Sequence, residues 1–276
     1  MNYSIREINV RSYSASLYSY LLDTPPELNG GKDRPLVIVC PGGGYRHLSN
    51  REAEPMALRM NAAGFHAAVL RYSVEPAQFP VSMQQLALAV DLVKKEAAEW
   101  KIDPERIFVM GFSAGGHLAA SLGTLWNKGY LPELPGPPEN YRPAGLLLAY
   151  AVLSSGEYSH SGSISTLLGG SPGKLPAGKE KLWEALSLEK QVDKDTPPAF
   201  IWHTGEDPSV PVENSLLFAS ALRKCGVPFE LHVYPRGGHG LALASAETAT
   251  SNLPDSPSGV AGWMDLAVNW IRGFRK

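Results

Sequence analysis

The stretch IFVMGFSAGGHLAASL, which begins at Ile107, constrains this chain more than any other. Ile107–Met110 has the length and composition of a strand buried on both faces. It runs straight into Gly111-Phe112-Ser113-Ala114-Gly115, and small residues suited to a tightly packed helix follow. A G-x-S-x-G pattern alone is common by chance. Between a buried strand and a small-residue helix, it describes a tight strand-to-helix turn that projects the serine hydroxyl above a sheet. Glycines two positions either side let the strand and helix backbones approach closely. The same turn places the Ala114 N–H at a helix N-terminus, where backbone donors can stabilise an oxyanion.

The rest of the chain is patterned to suit such a turn. Short apolar runs alternate with helical periodicity, which predicts an α/β fold: a mostly parallel central sheet of about eight strands with helices on both faces. Tyr3–Val10 and Ala15–Leu22 read as an antiparallel pair at one sheet edge, and Pro35–Cys40 as a buried central strand. Glu52–Ala63 reads as an amphipathic helix ending at Gly64, a C-capping residue. Phe65–Tyr72 is the next strand, and Val81–Trp100 a helix with Leu86, Val90 and Val93 on one face. Further strands fall at Ala144–Leu153, Pro198–His203 and Pro228–Tyr234, with the proline-rich Leu131–Pro143 as a surface loop. Ser154–Thr196 is polar and glycine-rich, with one helical patch around Glu180–Leu186. It reads as an insertion folding over one end of the sheet, within a single domain spanning 1–276.

Composition narrows the function classes. The chain has 276 residues, 44% of them hydrophobic, enough for one sizeable core. Lys+Arg number 25 against 27 Asp+Glu with no basic cluster, so nucleic acid, which requires a concentrated positive face, is not an expected partner. No window approaches the roughly 20 apolar residues that span a bilayer, so no membrane partner is expected. The opening MNYSIREINVRSY has early charges and no apolar run of signal-peptide length, and the expected location is cytoplasmic. Cys40 and Cys225 read as free thiols. No His, Cys or carboxylate cluster has ligand spacing, so neither metal nor other cofactor is expected. A homo-oligomer is compatible with this composition.

A serine hydroxyl is a poor nucleophile until a base takes its proton, so Ser113 requires a histidine and an orienting acid. Of the seven histidines, His239 lies in YPRGGHG just past the last predicted strand, where a side chain can reach over the sheet edge. His117, in the helix after the serine, reads as packed. His203 and His232 fall within strands, His66 begins one, and His47 and His160 lie in loops. The chain order of this fold puts the acid between Ser113 and His239, just after a strand. Asp207 in FIWHTGEDPSVP fits, with Glu206 as its immediate competitor; Asp193 and Asp195 precede the strand and sit at the wrong end. Gly42-Gly43-Gly44 follows the first central strand, where the other half of an oxyanion hole belongs, and Gly43 and Gly44 are the candidate donors. No Gly-Lys-Ser/Thr follows, which excludes a phosphate loop. Tyr45, beside this loop, and Leu241, beside His239, are candidate substrate-binding residues.

Together these residues resemble the α/β-hydrolase superfamily, and within it the small carbohydrate-esterase branch of acetylxylan esterases and other sugar-acetyl esterases. The likeness is carried by PGGGY at Pro41–Tyr45, SNREAEPMALRMNAAGF at Ser49–Phe65, LRYS at Leu70–Ser73 and GFSAGGHLAA at Gly111–Ala120. HTGEDPSVPVENS at His203–Ser215 and YPRGGHGLAL at Tyr234–Leu243 extend it over nearly the whole chain. The family's D-x-x-V-P acid falls on Asp207, since Val210 and Pro211 follow, and its G-x-H-G histidine falls on His239. Hormone-sensitive-lipase-like enzymes carry HGGG where Pro41 stands here, which moves the resemblance away from those lipases.

The resemblance implies hydrolysis of short acyl esters through an acyl-enzyme on Ser113, with a small acylated carbohydrate such as an acetylated xylo-oligosaccharide as substrate. No strongly apolar lid is evident in Ser154–Thr196, which argues against a long-chain lipase. A cytoplasmic location suits an enzyme that trims imported oligosaccharides rather than polymeric xylan. A broad carboxylesterase or a feruloyl esterase would carry the same triad. A prolyl-oligopeptidase-like peptidase would need a large gating domain, for which the chain has no room. A non-catalytic α/β-hydrolase acting as a binding module usually lacks a triad member, and here all three are in place.

Overall fold

A parallel strand covered by helices on both sides must be apolar along its whole length, and Arg34–Cys40 is buried at every position. Leu36, Ile38 and Cys40 face one core while Val37 and Val39 face the other. The computed structural model describes residues 1–171, 173–176, 178–250 and 259–274. Among them, eight strands form one sheet: β1 (Asn2–Val10), β2 (Tyr13–Leu21), β3 (Arg34–Cys40), β4 (His66–Arg71), β5 (Ile102–Phe112), β6 (Gly145–Ala149), β7 (Ala199–Thr204) and β8 (Phe229–Tyr234). Their spatial order is β1-β2-β4-β3-β5-β6-β7-β8. β1–β2 and β2–β4 are antiparallel, and the remaining neighbours are parallel.

Parallel neighbours need crossovers, and these put helices on both faces. In chain order the helices are α1 (Glu54–Ala62), α2 (Val81–Lys95), α3 (Ala97–Trp100), α4 (Ala114–Leu125), α5 (Ser161–Leu168), α6 (Glu180–Ala185), α7 (Glu213–Lys224) and α8 (Trp263–Gly273). α1 and α8 bury Met56, Met60, Trp263 and Ile271 against one face of the sheet. α2, α4 and α7 bury Leu86, Val90, Leu118, Leu122, Phe218 and Leu222 against the other. Each alternation in β5 repeats this division, with Ile107 and Val109 on one side and Phe108 and Met110 on the other. Cys40 and Cys225 are free thiols. Among the described residues, no helix is long and apolar enough to cross a membrane.

Several elements differ from their sequence reading. The helix expected over Val81–Trp100 breaks at Glu96, and its last turn ends at Lys101 in a left-handed conformation, φ 56°. The helix expected from Glu52 begins at Glu54, because Asn50–Glu52 forms a separate 3₁₀ turn. The strand expected through Leu153 stops at Ala149, where Tyr150 turns the chain at φ 36°. The stretch 154–196 holds α5 as well as the expected patch at α6. α5 escaped sequence reading because SGSISTLL is rich in Ser and Gly, which are weak helix formers. Burial holds it instead: Ile164, Leu167 and Leu168, at helical spacing, join the core that α2 and α4 share.

Candidate active site

The turn after β5 is as tight as its glycines suggested. A Cβ on Gly111 would lie 2.2 Å from the Gly115 carbonyl oxygen, and one on Gly115 would lie 2.1 Å from that of Cys40. No side chain fits at either position. Ser113 itself takes φ 52°, ψ −118°, a conformation L-residues rarely adopt, and it caps α4 at its N-terminus. The strain lifts the hydroxyl off the end of the strand and aims it at the loops beyond the parallel strands.

Two of those loops bring partners. The Ser113 Oγ lies 2.8 Å from His239 Nε2, and His239 Nδ1 lies 2.7 Å from Asp207 Oδ2. An ionised carboxylate only accepts, so Nδ1 carries the proton and Nε2 is left to accept from the serine hydroxyl. Asp207 uses its other oxygen locally: Oδ1 accepts the N–H groups of Ser209 and Val210, both at 2.9 Å, closing the turn that aims the side chain. His203 Nε2 also approaches Oδ2, at 3.4 Å, while donating to the Val210 carbonyl. Ser215 holds the opposite ring nitrogen of His203 at 2.7 Å. Burial by itself would raise the Asp207 carboxyl, but the hydrogen bonds from His203, His239 and Val210 outweigh it and hold the group well below the usual carboxylate range.

The glycine loop after β3 closes the opposite side. Gly42 donates its N–H to Glu52 Oε2 at 2.8 Å. Among the described residues, the N–H groups of Gly43 and Gly44 donate to no protein acceptor, and both glycines line the cavity that holds Ser113. Gly43 adopts φ 131°, and a Cβ there would lie 2.1 Å from the His47 carbonyl oxygen. Ala114 contributes the first N–H of α4, one of the donors a helix cannot satisfy internally. The cavity has a volume of about 450 Å³ and holds Ser113 and His239. Its rim is polar: Arg46, His47, Ser49, Glu52, His160 and Ser209 line it.

Tyr45 and Leu241 do not belong to that rim, which corrects their sequence reading as substrate-binding residues. Tyr45 is 2% exposed, with its hydroxyl 2.9 Å from His117 Nδ1. Leu241 is 4% exposed and packs in the core beneath α8. Each neighbours a site residue in sequence, but its side chain points into the protein. His117 is packed as expected, and burial lowers its pKa to about 4. Glu206 is exposed, while Asp193 pairs with Lys128. His47, His160 and Glu52 are the reverse case, since no role followed from the sequence and all three line the cavity. His160 caps α5, its Nδ1 accepting the Ser163 N–H, a use that sequence does not signal because histidine is not among the favoured N-cap residues. Among the described residues, no group of three or more His, Cys, Asp or Glu side chains is placed to hold a metal.

The sheet order, the strained serine turn, and the acid and histidine loops at one sheet end define an α/β-hydrolase. The chain belongs to the BD-FAE family, whose family model matches residues 22–222; that of the dienelactone hydrolase family matches residues 185–260. Endo-1,4-beta-xylanase B of Butyrivibrio fibrisolvens is 38% identical over 256 residues, 88% of this chain and 38% of that protein. The acetylxylan esterase of Xylanibacter ruminicola is 32% identical over 213 residues, 76% of this chain and 41% of that protein. The chain thus spans about two fifths of the length of these relatives. Among solved structures, an acetyl ester-xyloside bifunctional hydrolase from Caldicellulosiruptor lactoaceticus superposes with a TM-score of 0.81 at 41% identity, over 95% of this chain and 89% of that one.

Proposed function

We propose that the protein is a serine esterase that removes short acyl groups, above all acetyl, from small sugars such as xylo-oligosaccharides. The observation that carries this reading is the unbroken chain from Ser113 Oγ through His239 to Asp207, at 2.8 and 2.7 Å, opening into a polar-rimmed cavity. His239 Nε2 takes the serine proton as Oγ bonds to the ester carbon, and the oxyanion is met by the N–H groups of Gly43, Gly44 and Ala114. The imidazolium returns its proton to the sugar oxygen as that C–O bond breaks, leaving an acyl-enzyme. Water then attacks, giving one proton to His239, and Ser113 leaves with that proton as the carboxylic acid departs. Asp207 keeps the imidazole in the required tautomer throughout.

The rim favours a sugar over a long-chain ester. Arg46, His47, His160 and Ser209 offer hydrogen bonds suited to hydroxyls, and among the described residues no Leu, Ile, Val, Met or aromatic hydrocarbon side chain lines the cavity. His160 is held neutral, because burial and then the nearby His239 lower its pKa, and its Nε2–H is available to a substrate hydroxyl. The names of the acetylxylan esterase and the acetyl ester-xyloside hydrolase agree with this chemistry. Acetate release from acetylated xylo-oligosaccharides, alongside p-nitrophenyl esters of increasing length, tests the reading. Ser113→Ala is expected to lower kcat at least ~10⁴-fold while the protein stays folded. Undiminished turnover by that variant would sink the mechanism, and wild-type rates that rise with chain length would sink the sugar-acetyl assignment.

A further inference from the structure

Glu52 is 3% exposed, lines the cavity with Ser113 and His239, and takes no part in the proton path described above. Burying a carboxylate is costly unless each oxygen is satisfied. Among the described residues, no cation lies within ion-pair distance of it. Two neutral donors meet it instead. Oε2 accepts the Gly42 N–H at 2.8 Å, and Oε1 accepts the Tyr150 hydroxyl at 2.7 Å. Tyr150 Oη in turn accepts the Ala242 N–H at 3.0 Å, and its ring meets the His239 ring edge-on, with centroids 5.1 Å apart. One carboxylate therefore spans the start of the glycine loop, the end of β6 and the loop carrying His239.

The backbone at these joints is held in conformations that side chains rarely adopt: φ is 36° at Tyr150 and 56° at Ala242. Such values persist where the surroundings over-determine them. Trp263 adds a further tie, donating its indole N–H to the Ala242 carbonyl at 3.0 Å. A Cβ on Gly42 would lie 2.8 Å from Glu52 Oε2 and 3.0 Å from the Ser113 Cβ, so the carboxylate and the nucleophile both close on the glycine loop at this position.

We propose that Glu52 is a positioning residue whose carboxylate locks the oxyanion loop and the histidine loop into one register. Resting on the esterase reading above, this assigns Glu52 and Tyr150 to transition-state geometry rather than to substrate binding. Glutamate suits the place because both its oxygens only accept. In Glu52→Gln one acceptor becomes an NH₂ group: turned to Gly42 it opposes the N–H donor, and turned to Tyr150 it makes the hydroxyl accept a second time beside the Ala242 N–H and leaves the hydroxyl proton without its acceptor.

The test is steady-state hydrolysis of p-nitrophenyl acetate by Glu52→Gln, Tyr150→Phe and the double variant, each shown folded by circular dichroism. Misaligned oxyanion donors and base are expected to lower kcat by ~10- to 100-fold in Glu52→Gln with KM within about twofold. Tyr150→Phe, which keeps the ring and removes one hydroxyl, is expected to lower kcat by ~5- to 20-fold. The double variant should lose less than the product of the two single losses, because both residues act in one chain of hydrogen bonds, and fully multiplicative losses overturn the shared lock. A kcat within about twofold of wild type in either folded variant, or a loss confined to KM, overturns the proposal. If Glu52→Gln fails to fold, Tyr150→Phe alone decides by the same criterion. Activity retained by Ser113→Ala would instead overturn the esterase reading, whereas an inactive Ser113→Ala beside wild-type-like Tyr150→Phe would overturn this inference alone.

Discussion

Asp207 makes two sets of contacts with two oxygens, and its chemistry shows why an aspartate suits the place. Oδ1 closes its own turn by accepting from Ser209 and Val210, while Oδ2 faces N–H groups of both His239 and His203. An amide cannot accept at both ends. In Asp207→Asn, an NH₂ at the Oδ2 position would oppose those donors and drive His239 to the tautomer that cannot accept the serine proton. The expected result is a kcat about 10⁴-fold lower with KM within about threefold, measured by steady-state hydrolysis of p-nitrophenyl acetate near neutral pH. Its position was legible beforehand, since Asp207 lies just after a strand and between Ser113 and His239, and the D-x-x-V-P of the family it resembles falls on it. The part played by His203 was not legible, since a histidine inside a strand reads as packing.

At the scale of the element, α5 joins the core to the cavity rim. Its residues carry little helix propensity, so its placement depends on Ile164, Leu167 and Leu168 entering the core. The end of α5 nearest the cavity holds His160 as N-cap and Gly162. Leu168→Ala should therefore act twice. It is expected to destabilise the fold by about 2–4 kcal/mol in urea unfolding, through a core cavity. It is also expected to raise KM for acetylated xylo-oligosaccharides about 3- to 10-fold while that for p-nitrophenyl acetate moves less, because the smaller ester makes fewer contacts with the rim. Equal changes for both substrates would separate α5 from sugar recognition.

Across the whole molecule, one buried histidine ties the segment 154–196 to the sheet. His117 in α4 bonds to the Tyr45 hydroxyl after β3 and to the Leu186 carbonyl at the end of α6. Burial lowers its pKa from 6.5 to about 4, opposed in part by the Leu186 carbonyl, so the folded protein keeps it neutral. Between those values the unfolded chain binds more protons than the folded one, and stability rises with pH. The contribution is complete above about pH 6.5 and is lost as pH falls towards 4. At about 1.4 kcal/mol per pH unit, wild type should lose about 3 kcal/mol more than His117→Gln between pH 7 and 4. Urea midpoints at the two pH values measure this, and an identical loss in both proteins would remove His117 from the account.

Those effects divide along one physical line. The sequence by itself determined what a few consecutive residues decide: strands buried on both faces, a glycine-framed turn at Ser113, and loops after strands that carry Asp207 and His239 in the required order. These are local constraints of sterics and periodicity, and the structure keeps them with boundaries shifted by a few residues. Only the tertiary structure decided which side chains face the cavity. Ser113 and His239 are 126 positions apart, and the space between them is enclosed by loops after β3, β6 and β7 together with the start of α5. Adjacency along the chain was a poor guide there: Tyr45 and Leu241 turn into the core, while Glu52, read as the first residue of an amphipathic helix, is a buried carboxylate. The direction of a side chain in a loop depends on what the rest of the chain leaves unfilled, and that is settled only when the layers close.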